Sequence, residues 1–191
     1  MPTSPTSLNY GNQPASRARK VASLKSFFIY LTKKTNQLEV NPAQNLDSPK
    51  LGKRMPKYLS LDESKALLNV ASDEENRNKE RDYAIVTLFL NCGMRLSELV
   101  NINFSDMTMS ECKLNVIGKG NKERTIYLNK ACISAIEDYI KVRPHEGVKI
   151  DSKDALFLSE RKERISTRAV QYIVKRDLQK ARFRYYKVFS S

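Results

Sequence analysis

The sequence predicts a mixed, mainly helical α+β fold that carries one small antiparallel sheet. Apolar residues recur at helical spacing in several segments beyond residue 60, which indicates helices packed around a core. Two short apolar runs, 114–117 and 125–128, flank a turn rich in Gly, Asn and Lys, which is the pattern of a β-hairpin. A chain of 191 residues is long enough for one good core, or for one core with a small additional part.

The first third of the chain reads as a loop, a helix and a linker. Residues 1–15 are rich in Ser, Thr, Pro, Asn and Gly, which indicates disorder or a loop. Residues 16–35 predict a basic helix, because apolar side chains such as Val21 and Leu24 recur at helical spacing among Arg and Lys. Residues 36–57 combine prolines with several lysines, a composition typical of a linker.

Residues 60–100 contain the signals of three helices. Ser60 and Glu63 form a capping box at the start of a helix. Residues 81–91 are apolar nearly all round, as in a buried helix, and Gly93 is placed to end that helix. A short helix is expected at 97–100.

The second half of the chain adds the hairpin and two more helices. Asn129 is a predicted helix cap, and residues 155–158 form a short buried run that we expect to extend the small sheet at 113–128. Ser166 starts a last helix with one apolar and one basic face.

The charge balance favours a polyanionic partner. The formal net charge is +13 and the sequence pI is about 9.7, which makes nucleic acid the leading candidate. A merely basic protein without such a partner is the alternative.

Several classes of function are disfavoured. No stretch approaches the roughly 20 apolar residues of a membrane span, and the N-terminus lacks an apolar signal segment, so we expect a cytoplasmic protein without membrane contact. Three scattered cysteines and one loop histidine, His145, fit neither a disulfide framework nor a metal site. We therefore expect no metal, no other cofactor and no small-molecule substrate.

Arg95 is the first candidate site residue. It follows a predicted buried helix and the Gly93 break, where a charged side chain requires a partner. A guanidinium presents a rigid pair of donors to two phosphate oxygens and stays charged at all relevant pH values. The alternative is a structural salt bridge to Glu98, one turn further along the chain.

Lys119 is the second candidate. It lies between Gly118 and Gly120, where the backbone can approach a ligand closely. An ammonium group at a hairpin tip can reach a phosphodiester and donate a proton to it. An ordinary polar turn has the same composition, and only the pairing of this turn with the Arg95 segment favours the phosphate role.

The two motifs together resemble the catalytic domain of tyrosine recombinases, the phage-integrase family, in its Xer-like branch. They read GMRLSEL from residue 93 and IGKGNKER from residue 117, and the resemblance covers residues 16–181. It implies a DNA breaking-rejoining fold of the integrase catalytic-core type. Residues 16–57 would be a remnant of the core-binding, SAM-like domain with its linker, 58–181 a partial catalytic domain, and 182–191 a truncated tail.

The resemblance also implies a reaction. A Tyr hydroxyl attacks a phosphate of double-stranded DNA, two Arg and further donors stabilise the transition state, and a Lys protonates the leaving 5′-oxygen. Arg95 matches the first catalytic Arg, and Lys119 matches the catalytic Lys. Other basic side chains are expected to contact DNA: Arg17, Arg19, Lys20, Lys25, Lys122, Arg124, Arg164 and Arg168.

The sequence departs from the family pattern after its last predicted helix. No His follows His145, so a His-x-x-Arg box is absent, and Tyr185 and Tyr186 precede the place where that box belongs. We therefore expect a truncated integrase that binds DNA, can join full-length recombinase subunits, and does not cleave alone. Two alternatives stay open: a non-catalytic DNA-binding or regulatory module, and a pseudogene remnant.

Overall fold

A computed structural model describes residues 13–52, 55, 58–118 and 120–181 of the chain. Lys119, Tyr185, Tyr186 and the predicted tail 182–191 lie outside the described residues. The chain divides into two compact units, Met1–Pro56 and Lys57–Ser191.

The first unit contains one long helix, α1, which spans Pro14–Lys33. The helix begins two residues before the predicted start because Pro14 suits the first helical turn, where its missing N–H leaves no hydrogen bond unmade. Val21 is buried. The following segment turns at Asn41, whose Oδ1 accepts from the N–H of Ala43 at 2.8 Å.

The second unit is mainly helical, as predicted. Its helices are α2 Leu61–Ala71, α3 Lys79–Cys92, α4 Leu96–Val100, α5 Lys130–Val142 and α6 Thr167–Lys180.

Side-chain caps start three of these helices where the sequence indicated them. The Ser60 hydroxyl accepts from the N–H of Glu63 before α2, and the Glu63 carboxylate accepts from the N–H of Ser60 in return. Asn129 caps α5 and Ser166 caps α6 through the N–H groups three residues on.

Helix α3 is the centre of the core. It packs against α2, α5 and α6, and Ala84, Ile85 and Leu88 are fully buried. The predicted apolar face of α6 is also buried, with Val170 and Val174 among its residues.

The antiparallel sheet has three strands, β1 Met107–Thr108, β2 Lys113–Ile117 and β3 Glu123–Tyr127, in the order β1-β2-β3. The predicted hairpin is β2 with β3, and Leu114 pairs with Ile126 in its register. The additional strand, β1, therefore comes before the hairpin in the chain.

The expected extension of the sheet near residue 155 is wrong. Ala155 forms only an isolated bridge with Asn103. The backbone of this segment pairs with the segment after α4 instead of with the sheet: the N–H of Leu156 donates to the Ile102 carbonyl at 2.9 Å, and the N–H of Phe104 donates to the Asp154 carbonyl at 2.8 Å. The buried Arg143 also binds this segment, because its guanidinium donates to the carbonyl oxygens of Lys153, Ala155 and Leu156 at 3.2, 2.7 and 3.1 Å.

A buried charge network joins α3 to α6. The Asp82 carboxylate accepts from Arg81 Nε at 2.9 Å and from Arg176 Nη2 at 2.8 Å. Arg176 Nε also donates to Asp177 Oδ1 at 2.7 Å. Burial raises the pKa of Asp177 above its ordinary value, and the Arg176 guanidinium offsets only part of that rise.

In the part of the chain that the structure describes, no helix is both long enough and apolar enough to cross a membrane.

Candidate phosphate-binding site

Arg95 lies where the chain turns from α3 into α4. Gly93 adopts the left-handed conformation with φ 55°, and its N–H donates to the Phe89 carbonyl at 3.2 Å, which ends α3 as predicted. Met94 is buried next to it. Arg95 then takes an extended backbone conformation before α4, with 59% of its side chain exposed. The turn therefore directs a guanidinium from the core into solvent.

Glu98 holds that guanidinium in place. Its Oε1 accepts from Arg95 Nη1 at 2.9 Å, and its Oε2 accepts from the Arg95 backbone N–H at 2.8 Å. Oε2 also accepts from Arg124 Nη2 at 2.8 Å. The Glu98 carboxylate is fully buried, whereas the side chains of Arg95 and Arg124 are 59% and 46% exposed. One buried anion thus orients two cations that face outward.

The carboxylate stays ionised in this position. Burial alone would raise the pKa of Glu98, but the backbone N–H and guanidinium of Arg95, together with Arg124, lower it below its ordinary value. Two guanidinium charges against one carboxylate charge leave a net positive site, which favours an anionic ligand.

The β2–β3 hairpin closes one side of this site. The N–H of Gly118 donates to the Lys122 carbonyl at 2.7 Å, which closes the turn. A Cβ atom built on Gly118 would lie 3.3 Å from Glu98 Oε1 and 3.7 Å from Arg95 Nη1. The backbone therefore lies against the ion pair at a distance that leaves little room for a side chain. Lys119 is the next residue in the chain, outside the described residues.

Six of the other predicted DNA-contacting residues lie in two places. Arg17, Arg19, Lys20 and Lys25 lie on α1 in the first unit. In the second unit, Lys122 is exposed in the hairpin turn and Arg168 is exposed in the first turn of α6.

Arg164 differs from these residues because its guanidinium is bound within the protein. Its Nη1 donates to the carbonyl oxygens of Val100 and Ile102 at 3.0 and 3.3 Å, and its Nη2 donates to Asn103 Oδ1. These contacts tie the segment before α6 to the segment after α4.

Sequence reasoning missed part of this arrangement. It considered Glu98 only as an alternative partner of Arg95 and did not connect Arg124 with either residue. The available signal was an acidic residue one turn after Arg95, which fits both a capping carboxylate and an ion pair. Arg176 of α6 is bound to Asp82 and Asp177, two partners that the sequence did not indicate.

The described residues contain no group of three or more His, Cys, Asp or Glu side chains that could hold a metal ion.

Comparison with known proteins identifies the class. The sequence model of the phage integrase family matches residues 57–189, and the chain therefore belongs to that family. The match confirms the resemblance to tyrosine recombinases of the phage-integrase family. The relatives described next confirm the Xer-like branch, and the elements described above confirm the mainly helical fold with its small antiparallel sheet.

Two relatives show how far the likeness extends. The chain is 62% identical over 170 residues to the tyrosine recombinase XerC of Caldanaerobacter subterraneus subsp. tengcongensis, covering 89% of this chain and 46% of that protein. It is 38% identical over 161 residues to the tyrosine recombinase XerC of Psychromonas ingrahamii, covering 84% of this chain and 52% of that protein. The chain thus spans about half the length of these curated relatives.

Solved structures show the same fold. XerA recombinase superposes with a TM-score of 0.61 at 29% identity, covering 92% of this chain and 57% of that chain. The XerH site-specific recombinase bound to a palindromic difH substrate superposes with a TM-score of 0.74, covering 92% of this chain and 52% of that chain. At 19% identity, the XerH likeness supports the fold alone.

Proposed function

We propose that this chain binds duplex DNA as part of a tyrosine recombinase, with Arg95 placed at the phosphate where such enzymes break the strand. The observation that carries the proposal is the fully buried Glu98 carboxylate, which holds two half-exposed guanidiniums at the edge of a glycine turn. Donors that are held in place before the ligand arrives stabilise developing negative charge without reorganising at the moment of reaction.

The proposal assigns separate roles to the basic groups. Arg95 donates to two non-bridging phosphate oxygens and stabilises the charge that develops in the transition state. Arg124, bound to the same carboxylate, adds positive charge to the site. Lys119 supplies the proton to the leaving 5′-oxygen. The position of Gly118 against Arg95 supports this role, since Lys119 directly follows Gly118 in the chain.

The nucleophile is the part of the reaction that residues 1–191 do not supply. They contain no His-x-x-Arg box, and we propose that Tyr185 and Tyr186 are not nucleophiles. The 191-residue polypeptide should therefore form no covalent DNA adduct on a nicked suicide substrate. We propose that it acts on DNA together with full-length recombinase subunits. In this proposal, residues 16–57 of the chain belong to the core-binding domain and residues 58–181 belong to the catalytic domain.

Salt-dependent DNA binding tests the proposal. Fluorescence anisotropy with a labelled duplex should show tight, weakly sequence-selective binding at low salt that weakens steeply towards physiological salt. Arg95→Ala should reduce the slope of log affinity against log salt by about one unit, because one phosphate contact is lost.

Lys141→Ala is the matched control. Lys141 is also an exposed cation, but it lies in the last turn of α5, at the end of that helix opposite the capped start. Its loss should leave the slope close to that of the wild type. Equal slopes for Arg95→Ala and Lys141→Ala would show that Arg95 does not contact DNA. The absence of binding at either salt concentration would reject the proposal that the chain binds DNA. An SDS-stable protein–DNA band would overturn the assignment of the missing nucleophile.

A further inference from the structure

Two cysteines meet beside the Arg95 turn. The Sγ atoms of Cys92 and Cys132 are 3.8 Å apart, and the pair joins the last residue of α3 to the first turn of α5. Asn129 fixes this approach from both sides. Its Nδ2 donates to Asn91 Oδ1 at 2.8 Å, and its Oδ1 accepts from the N–H of Cys132 at 2.9 Å.

The two thiols have different surroundings. Cys92 is half-buried and accessible from solvent, whereas Cys132 is fully buried. The hydrogen bond with Cys132 lowers the pKa of Cys92, and the positive charge of Arg124 lowers it further against the opposing effect of burial. The same hydrogen bond and burial raise the pKa of Cys132. Cys92 is thus the thiol that ionises first and meets a reagent first.

We propose that Cys92 and Cys132 form a dithiol site that reacts with small-molecule disulfides, such as oxidised glutathione, and closes to an intrachain disulfide. This inference is independent of the proposed DNA function. The Cys92 thiolate attacks one sulfur of the small disulfide, forms a mixed disulfide and releases one small thiolate. Cys132 then loses its proton to that thiolate or to water, and its sulfur attacks Cys92 Sγ and releases the second small thiol. Two protein thiols are oxidised and one small disulfide is reduced to two thiols.

The geometry allows this closure with a small movement. A disulfide needs an S–S distance of about 2.0 Å, so the two sulfur atoms have to approach by roughly 1.8 Å. Cys92 is the last residue of α3 and is followed by Gly93 in the left-handed conformation, so the moving group lies at a helix end. The bond would tie the end of α3 to α5 three positions before Arg95.

The experiment uses the full chain in glutathione buffers of graded oxidised-to-reduced ratio, followed by acid quenching and alkylation with a maleimide. The wild type should lose two of its three alkylatable thiols and stay monomeric on a non-reducing gel, with peptide mapping linking Cys92 to Cys132. Cys112→Ser should form the same bond, because Cys112 is not part of the pair. Cys92→Ser and Cys132→Ser should form no intrachain disulfide. Cys132→Ala replaces the second variant if a buried serine prevents folding.

Three results would overturn the proposal. All three thiols could stay alkylatable at the most oxidising ratio, the linked peptide could contain Cys112, or the reaction could stop at a glutathione adduct on Cys92. The same titration in denaturant provides a folding control. There the preference for the Cys92–Cys132 bond over other pairs should disappear, and an unchanged preference would show that the folded geometry does not select the pair.

Discussion

The substitution Glu98→Gln separates the structural part of the Arg95 site from its ligand-binding part. Glutamine has nearly the size and shape of glutamate but carries no charge. The amide oxygen can still accept from the Arg95 backbone N–H and from Arg124 if it takes the position of Oε2. The amide nitrogen then faces Arg95 Nη1, where donor meets donor and the 2.9 Å hydrogen bond is lost.

The expected cost follows from the burial of the three partners. Hydrogen bonds to charged groups contribute about 1.5–3 kcal/mol when both partners are removed from water. The side chains of Arg95 and Arg124 are 59% and 46% exposed, so solvent compensates part of the loss. We expect Glu98→Gln to lower the free energy of unfolding by about 2 kcal/mol. For a unit of this size, that is a fall in melting temperature of roughly 6–10 °C.

Arg95→Ala should cost much less stability than Glu98→Gln. The Glu98 carboxylate keeps its contacts with Arg124 and with the backbone N–H at residue 95, so no unpaired charge is left buried. An exposed partner of this kind contributes about 0–1 kcal/mol. Thermal unfolding followed by far-UV circular dichroism measures both variants. Glu163→Gln is the matched control, because Glu163 is a partly exposed carboxylate paired with Lys149 at 2.6 Å.

Two results would refute this reasoning. If Arg95→Ala lowers the melting temperature as much as Glu98→Gln does, then Arg95 is mainly a structural partner of Glu98. If Glu98→Gln costs no more than the Glu163→Gln control, then the buried carboxylate does not organise the site.

Three further predictions concern the hairpin turn and two buried carboxylates. Gly118→Ala brings a methyl carbon within 3.3 Å of Glu98 Oε1 and 3.4 Å of the Lys122 carbonyl. We expect it to lower the free energy of unfolding by roughly 1 kcal/mol and to weaken DNA binding. Gly52→Ala is the control, because open space surrounds Gly52, and it should change neither property. The pKa of Glu98 is lowered in the folded state, so its ionised carboxylate stabilises the fold above the ordinary pKa, and this stabilisation is lost as pH falls through the folded value. Urea unfolding at several pH values should show that the free energy of unfolding of Glu98→Gln falls less in acid than that of the wild type. The folded pKa of Asp177 is raised, so the sign reverses: Asp177→Asn should gain stability relative to the wild type as pH rises from about 4 to neutral.

Local signals in the sequence predicted most of the fold. Ser60, Asn129 and Ser166 cap helices because a short polar side chain can reach the N–H groups of the first turn, an interaction confined to about four residues. Gly93 ends α3 because glycine adopts the left-handed conformation without steric cost. Such contacts involve only residues that are close in the sequence, so they can be predicted without a structure.

Long-range contacts of charged residues could not be predicted in the same way. Arg143 binds carbonyl oxygens 10–13 positions away, beside the segment near residue 155. Arg176 reaches Asp82 from a distant helix, and Arg164 binds the carbonyl oxygens of Val100 and Ile102 at the end of α4 and just after it. The guanidinium of an arginine has the same donor geometry for a DNA phosphate as for a buried carbonyl group. Only the tertiary fold decides which of these partners it meets.

The candidate site shows that the two readings of Arg95 are compatible. The sequence offered a salt bridge with Glu98 or a phosphate contact as alternatives, and the structure contains the salt bridge. The bridge uses Nη1 of a guanidinium that remains 59% exposed, so donors are left for a ligand. A carboxylate that is itself buried cannot be reached by an incoming phosphate, and it therefore orients Arg95 without competing for the same space. The salt bridge thus supports the proposed phosphate contact, because a side chain held before the ligand arrives loses less conformational freedom on binding.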